Sequence, residues 1–328
     1  MRAVVFRKYG TPDVLELVDL EKPSPKSGEV LVKVHATTVT AGDCEFRRLD
    51  FPLLLRILMR IFMAFAMPKY KSLGQELSGT IETVGADVTG FKPGDDVFAN
   101  TGIKFGACAE YKVLSANAAI ALKPANASFE EAAGIPTGGQ NALHFLRRAN
   151  ITPGQKILIY GSSGSIGTFA VQIAKHFGAH VTAVCTPLST GLVKSLGADV
   201  AIEHTAEDFT KNGERYDVIF DTIGKSPFPR SKQSLTPNGV YLQANPKLAH
   251  MMGAVWTGIT RKQKVVVAMA RETTRDLDTL REMFDAGIIT SVIDRTYPLE
   301  QMADAHRYVE KGTKNGHLVI STNGRPAG

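Results

Sequence analysis

From the N-terminus to residue 122, apolar positions come mostly in short runs cut by glycine and proline. V-L-V-K-V-H-A (30–36), S-G-T-I-E-T-V-G (78–85) and G-D-D-V-F-A (94–99) are examples, with K-P-G-D (92–95) as a turn. Such runs predict strands, so residues 1–122 predict a compact β domain. From residue 123 the pattern alternates. E-E-A-A-G-I-P and N-A-L-H-F-L-R-R predict helix, and Q-K-I-L-I-Y-G predicts a buried strand. Further strands are expected at 180–185, 199–202, 216–221, 239–243 and 264–268. Strand and helix in turn predict an α/β fold with a parallel, doubly wound sheet over 123–286. The tail, 287–328, is expected to complete the first domain. R-T-Y-P-L-E-Q-M-A-D-A-H-R-Y-V-E-K-G predicts a helix started by Pro298, and H-L-V-I a last strand.

The most apolar stretch is F-P-L-L-L-R-I-L-M-R-I-F-M-A-F-A-M-P (51–68), with Arg56 and Arg60 four residues apart inside it. Its prolines leave about 15 residues between them, short of the ~20 that span a bilayer, so no membrane span is expected. A partly buried helical segment and an apolar wall over a substrate are both open; attachment to a membrane surface ranks below them.

The sharpest motif is K-I-L-I-Y-G-S-S-G-S-I-G (156–167). A strand enters Gly161, Gly164 and Gly167. A helix then follows with Ile166, Phe169, Ala170, Ile173, Ala174 and Phe177 on one stripe, closed by Gly178. Gly161 permits the tight turn, Gly164 lets backbone N–H groups approach a pyrophosphate, and Gly167 lets the helix pack closely. The helix N-terminus adds partial positive charge. Together these predict a dinucleotide cradle formed by Gly161, Ser163, Gly164, Ser165, Ile166 and Gly167.

A chain built for NAD places Asp or Glu about 20 residues past the glycines. Here the second strand ends V-C-T-P-L-S-T-G, and no Asp or Glu occurs from 132 to 198. That absence admits a 2′-phosphate, with Thr186, Ser189 and Thr190 as hydroxyl donors. NADPH is therefore expected as cofactor, with NADH possible because no Arg stands at the strand end.

Composition changes little. A net charge of +6 suits anionic ligands, but the cations are scattered, so no nucleic acid is expected as partner. Cys44, Cys108 and Cys185 lie far apart without C-x-x-C, which fits a reducing, cytoplasmic setting. The charged N-terminus lacks the apolar core of a signal peptide, so no export signal is expected.

With these features, the chain resembles the medium-chain dehydrogenase/reductase superfamily, in its zinc-independent quinone oxidoreductase (zeta-crystallin-like) branch. The landmarks are M-R-A-V-V-F-R-K-Y-G, L-G-Q-E-L-S-G-T-I-E-T-V-G, V-T-G-F-K-P-G-D-D-V-F, E-E-A-A-G-I-P-T-G-G-Q-N-A-L, the glycine loop, S-L-G-A-D, D-V-I-F-D-T-I-G and K-G-T-K-N-G-H-L-V-I. The resemblance implies a GroES-like β-barrel domain, a Rossmann domain, an active site in the cleft between them, and a homodimer. By motif match, Thr40 and Gln75 stand where zinc-dependent relatives carry a Cys and a His ligand. Neither side chain is a usual zinc ligand, so no metal is expected. A quinone or α,β-unsaturated carbonyl, already electrophilic, is the implied substrate. The alternatives kept open are an enoyl-thioester reductase, an alcohol dehydrogenase-like enzyme, and an NADPH-binding sensor without turnover.

The resemblance also suggests roles for single residues. Thr40 is expected near the nicotinamide or the substrate carbonyl, with an Asp43–Arg47 ion pair as the plainer use of that segment. Gln75 either donates to a substrate oxygen or satisfies its turn, and Glu76 is expected to be held by a cation or backbone donors. Asn141 serves either the nicotinamide end or a helix start, and His204 either the adenine end or a solvated strand end. Thr222 is expected to face the adenine ribose while Asp221 caps a turn. Lys311 and Lys314 read as surface lysines or phosphate contacts. Cys44 reads as a small buried residue, because no activating His is identifiable.

Overall fold

The computed structural model describes residues 1–66, 71–244, 263–268 and 270–322. Met67 and Pro68, the end of the apolar stretch, lie outside the described residues. The chain divides into two compact units. One comprises Met1–Thr137 with Glu272–Asp285 and the stretch from Ser291. The other comprises Gly138–Arg271 with Ala286–Thr290.

The first unit is a GroES-like β domain. A two-stranded ribbon pairs β1 (Arg2–Phe6) with β2 (Leu15–Asp19). The main sheet is built on β3 (Glu29–Thr38), which pairs antiparallel with β4 (Glu76–Val84) and β6 (Tyr111–Ser115). It continues from β4 through β5 (Asp96–Asn100) to β7 (Ile120–Leu122). On the other side, β15 (His317–Ser321) pairs with β3 and, parallel, with β14 (Ile293–Pro298). The alternating positions Val30, Val32 and Val34 face a core with Leu77, Ile81 and Val97. The strand periods expected near 30–36, 78–85 and 94–99 are thus present.

The tail meets its expectation in part, since a helical run follows Pro298 directly and His317–Ser321 is a strand. R-T-Y-P belongs to β14, and the helix there, Met302–Glu310, begins four residues after Pro298, past a short 3-10 turn. Pairing along β15 supplies β14 with hydrogen bonds that local helix signals do not anticipate.

Two helices follow β3. Helix α1 (Ala41–Arg48) starts at a capping box in which Thr40 and Asp43 each bond the other's main chain, and ends at Leu49 in the left-handed region. Helix α2 (Leu53–Ala66) is the apolar stretch. It enters a core of Val4, Phe6 and Leu73 through Met63, with Phe62 packed at the edge. Leu53, Leu55, Ile57, Leu58, Ile61 and Phe65 remain exposed, so this helix covers far less of its apolar surface than its sequence suggests.

Helix α3 (Phe129–Ala149) joins the two helical stretches expected on either side of Pro136 into one. Among the described residues, the second unit is a six-stranded, all-parallel Rossmann sheet. Its order is β10 (Val200–Glu203), β9 (His180–Cys185), β8 (Lys156–Tyr160), β11 (Tyr216–Asp221), β12 (Leu235–Gln243) and β13 (Lys264–Val267). Ile157, Leu158 and Ile159 in the centre of β8 are fully buried, as a strand covered on both faces requires. Helix α4 (Ser165–His176) buries the expected Phe169, Ala170, Ile173 and Ala174, and Val171 and Thr168 as well.

Candidate functional site

The glycine loop leaves β8 at Gly161, whose φ of +82° favours glycine. A β-carbon there would lie 2.8 Å from Thr222 Oγ1. At Gly167 a β-carbon would lie 2.6 Å from Ser162 Cα and closer still to Gly161 O. The helix therefore packs against its own loop as well as the sheet. At Gly164, by contrast, the nearest atom is Gly161 O at 3.5 Å, so that glycine leaves open space. It is also the N-cap of α4, with no side chain capping the helix. The first N–H groups of a helix have no intrahelical acceptor and carry partial positive charge, so Ser165, Ile166 and Gly167 could hold an anion here. Ser165 and Ile166 are half-buried on its first turn and Ser163 is buried beside it.

Thr222 is buried and donates to Tyr160 O at 3.0 Å and Gly161 O at 3.2 Å, so it braces the cradle. Asp221 caps the next turn, accepting from Ile223 N at 3.1 Å, Gly224 N at 2.7 Å and Ser226 N at 2.9 Å. Beyond β9, Thr186 and Ser189 share a hydrogen bond of 2.7 Å, and Ser189 is fully buried. Thr190 donates to Glu203 Oε1 at 3.4 Å. Glu203 pairs with Cys185 across β9 and β10, so a carboxylate does stand at this strand end, carried by the neighbouring strand. A window drawn along the chain from the glycines missed it. His204 follows, exposed, its N–H on Cys185 O at 3.1 Å. Asn141 is half-buried in the interior of α3, so it is not a helix start.

The second polar cluster lies in the β domain. Thr40 Oγ1 donates to Asp43 Oδ2 at 2.6 Å and accepts from Asp43 N at 3.0 Å. Asp43 Oδ1 accepts from Gly74 N at 3.0 Å, and burial pushes its carboxyl up. The Asp43–Arg47 pair is not formed. Buried Arg47 instead bonds Glu310, Gly10 O at 2.5 Å and His306 Nδ1 at 3.3 Å. Gln75 is half-buried. Its carboxamide lies 3.0 Å from where a Gly42 β-carbon would stand and makes no hydrogen bond among the described residues.

Glu76 is fully buried, its carboxylate bonded by Thr38 Oγ1 and by Thr137 N at 2.6 Å. Burial pushes its pKa up to about 7, against those hydrogen bonds. Half-buried Lys314 donates to Gly316 O at 2.5 Å. Burial pulls its pKa down to about 8, opposed by the nearby Glu76 charge, so it is not an ordinary surface lysine. Lys311 is exposed. Cys44 does have a histidine neighbour, His306 Nδ1 at 3.3 Å from Sγ. Burial drives that thiol up to about 12 and the imidazole down to about 3, so both stay neutral. The pair is a packed core contact and not an activated nucleophile. Sequence gave no signal for it, because the two residues are 262 positions apart.

The superfamily's zinc does not fit this donor set. Thr40 is occupied by its cap, Gln75 presents a carboxamide, and both Glu76 oxygens are already bonded. Among the described residues, no group of three His, Cys, Asp or Glu side chains could hold a metal ion.

A GroES-like β domain together with a Rossmann sheet and its glycine-loop cradle defines a nucleotide-dependent oxidoreductase. Residues 26–155 match the family model described as an alcohol dehydrogenase GroES-like domain, and residues 196–320 the one described as a zinc-binding dehydrogenase. The chain is 32% identical to a 2-methylene-furan-3-one reductase of Solanum lycopersicum, over 98% of this chain and 79% of that one. It is 31% identical to an NADPH-dependent alkenal/one oxidoreductase of Arabidopsis thaliana, described as chloroplastic, with the same coverage. A solved quinone oxidoreductase of Coxiella burnetii superposes with a TM-score of 0.88 at 26% identity, over 98% of this chain and 99% of that one. The chain belongs to the medium-chain dehydrogenase/reductase superfamily, among its quinone oxidoreductase-like members.

Proposed function

We propose that the protein is an NADPH-dependent, zinc-independent reductase of quinones or α,β-unsaturated carbonyls. The observation that carries this reading is the contrast between the two polar clusters. The Gly161–Gly167 loop offers open space at Gly164 before the first turn of α4, whereas Thr40 and Gln75 stand at ligand positions with side chains that zinc does not favour. Without a Lewis acid, oxidation of a simple alcohol lacks support for the alkoxide. A conjugated carbonyl needs only orientation and a hydrogen-bond donor on its oxygen.

The cradle N–H groups of Ser165, Ile166 and Gly167 hold the pyrophosphate, and Thr186, Thr190 and His204 lie on the adenosine side. When bound, the reduced nicotinamide supplies a hydride to the electrophilic carbon of the substrate. Gln75 donates its carboxamide N–H to the substrate oxygen, because that group has no hydrogen-bond partner among the described residues. Thr40 and Asp43 keep α1 and Gly74 in place beneath it, and the one proton that the reduction takes besides the hydride comes from water. We further assign the working protein to a homodimer in a cytoplasmic setting. The domain limits we propose are 1–122 with 287–328, and 123–286.

The test is a single panel of quinones, enones, enals and enoyl thioesters with NADPH and NADH, run beside a fluorescence titration of NADPH. Oxidation of NADPH by quinones or enones is expected. Turnover confined to thioesters, or tight binding without turnover, overturns the reading.

A further inference from the structure

Of the twelve large apolar side chains exposed among the described residues, six belong to α2. Leu53 is 72% exposed and Phe65 83%, and Leu55, Ile57, Leu58 and Ile61 are exposed between them. Successive residues of a helix turn by 100°, so Met59 and Met63 share the inner side while these six spread over about half the circumference. On a helix meant to face water, that arc carries charge. A contiguous exposed apolar patch marks an interaction surface.

The flank of the same helix carries Arg56 and Arg60, one turn apart. They line a cavity of about 710 Å³ with Arg7, Lys8, Arg48 and Lys71, and Asp50 is its one acidic lining residue. Arg48 is partly offset by Asp50 at 3.6 Å and Glu310 at 3.5 Å, and Arg7 by Glu16 at 3.3 Å. Among the described residues, Lys8, Arg56, Arg60 and Lys71 form no ion pair. The Tyr9 hydroxyl at the same cavity has no hydrogen-bond partner either. Apolar arc and cationic flank lie side by side, the arrangement that lets a helix lie in a bilayer interface.

We propose that α2 docks this protein on an anionic phospholipid surface. Its apolar arc enters the boundary of headgroups and acyl chains, and the cavity cations take lipid phosphates. Charge decides between this occupant and a second copy of the chain. A two-fold contact places the same patch on both partners, and one that packs α2 antiparallel on its copy would keep both Arg56–Arg60 flanks on the same side of the seam. An anionic surface neutralises them. The proposal stands apart from the reaction assigned above.

The test uses the full chain and vesicles of phosphatidylcholine alone, or with one-third phosphatidylglycerol, in a co-sedimentation assay. The anionic vesicles are expected to bind at least about tenfold more tightly, with binding lost as salt rises. Arg56→Glu with Arg60→Glu should weaken that binding by at least about twentyfold, from roughly fivefold per cation. Ile61→Ser with Phe65→Ser should weaken it by a similar factor while circular dichroism melting stays at the parent value, since both side chains face solvent. Equal binding to neutral and anionic vesicles, no binding to either, or unchanged binding by both variants overturns the proposal. So does a dimer in sedimentation equilibrium that Phe65→Ser dissolves without any vesicle binding. Full competition by inorganic phosphate at matched ionic strength would assign the cavity to a single small anion and overturn the bilayer.

Discussion

The Glu76 carboxylate accepts the main-chain N–H of Thr137 at 2.6 Å, tying the first residue of β4 to helix α3 across 61 positions of sequence. With Thr38 on its other oxygen, the carboxylate is bonded on both sides and still buried strongly enough to hold a proton up to about pH 7. It sits beside the Thr40–Asp43 cap in the β domain, so its protonation state bears on fold stability first.

Glu76→Gln keeps the shape and both hydrogen bonds, with its oxygen on Thr137 N and its amide donating to Thr38. The native carboxyl binds its proton more tightly than the unfolded one, so ionising it costs the fold. Relative to the parent, Glu76→Gln is expected to gain on the order of 3 kcal/mol of stability as pH rises from about 4.5 to about 7, and nothing further above that. Urea unfolding of both proteins across that range measures it; a difference that does not change with pH refutes the assignment.

His306 and His317 are buried and held neutral, with their pKa values lowered to about 3. Between their ordinary pKa of 6.5 and about 3, the unfolded chain takes up protons that the native chain does not. Stability therefore falls as pH drops through that window. At pH 5 unfolding should absorb about one proton per histidine on this account. His317→Gln should reduce the slope of stability with pH by about one proton relative to the parent; an unchanged slope contradicts it.

Gly164 and Gly167 separate binding from folding. Gly167→Ala puts a methyl group 2.6 Å from Ser162 Cα and is expected to lower the melting temperature. Gly164→Asp meets open space but sets a carboxylate in the anion cradle. It should leave melting near the parent value and weaken NADPH binding by more than about tenfold. Calorimetry and fluorescence titration together distinguish the two, and parallel losses in both variants would count against the cradle.

Cofactor preference should answer to two positions at the end of β9. Thr186→Asp is expected to shift the NADPH/NADH ratio of kcat/KM towards NADH. Glu203→Gln, which removes the carboxylate beside Thr190, should shift it towards NADPH, each by about fivefold to tenfold. Ratios that move in neither variant would place the 2′-phosphate elsewhere.

Much of the fold was legible because its signals are local. The strand runs, the stripe of α4 and the three glycines lie within a few residues of the structure they specify. Gly161 and Gly167 meet across six positions of one loop. Of the candidate site, the turn of the glycine loop from β8 into α4 was legible for the same reason. The substrate side was less so: Thr40 was visible as a polar residue, but that its hydroxyl is spent in a capping box depends on the conformation of Asp43.

By itself, the sequence determined the two domain types and the turn at Gly161, Gly164 and Gly167 from β8 into α4, since each follows from residue identity and short-range periodicity. Tertiary structure alone decided that Glu203 reaches the end of β9 from the next strand, and that R-T-Y-P extends a sheet edge before the helical run that follows Pro298. It also decided that Cys44 meets His306, and that α2 turns most of its apolar side outward. The physical reason is common to all four. Pairing and burial join residues distant along the chain, and neither hydropathy nor spacing records which surface meets which.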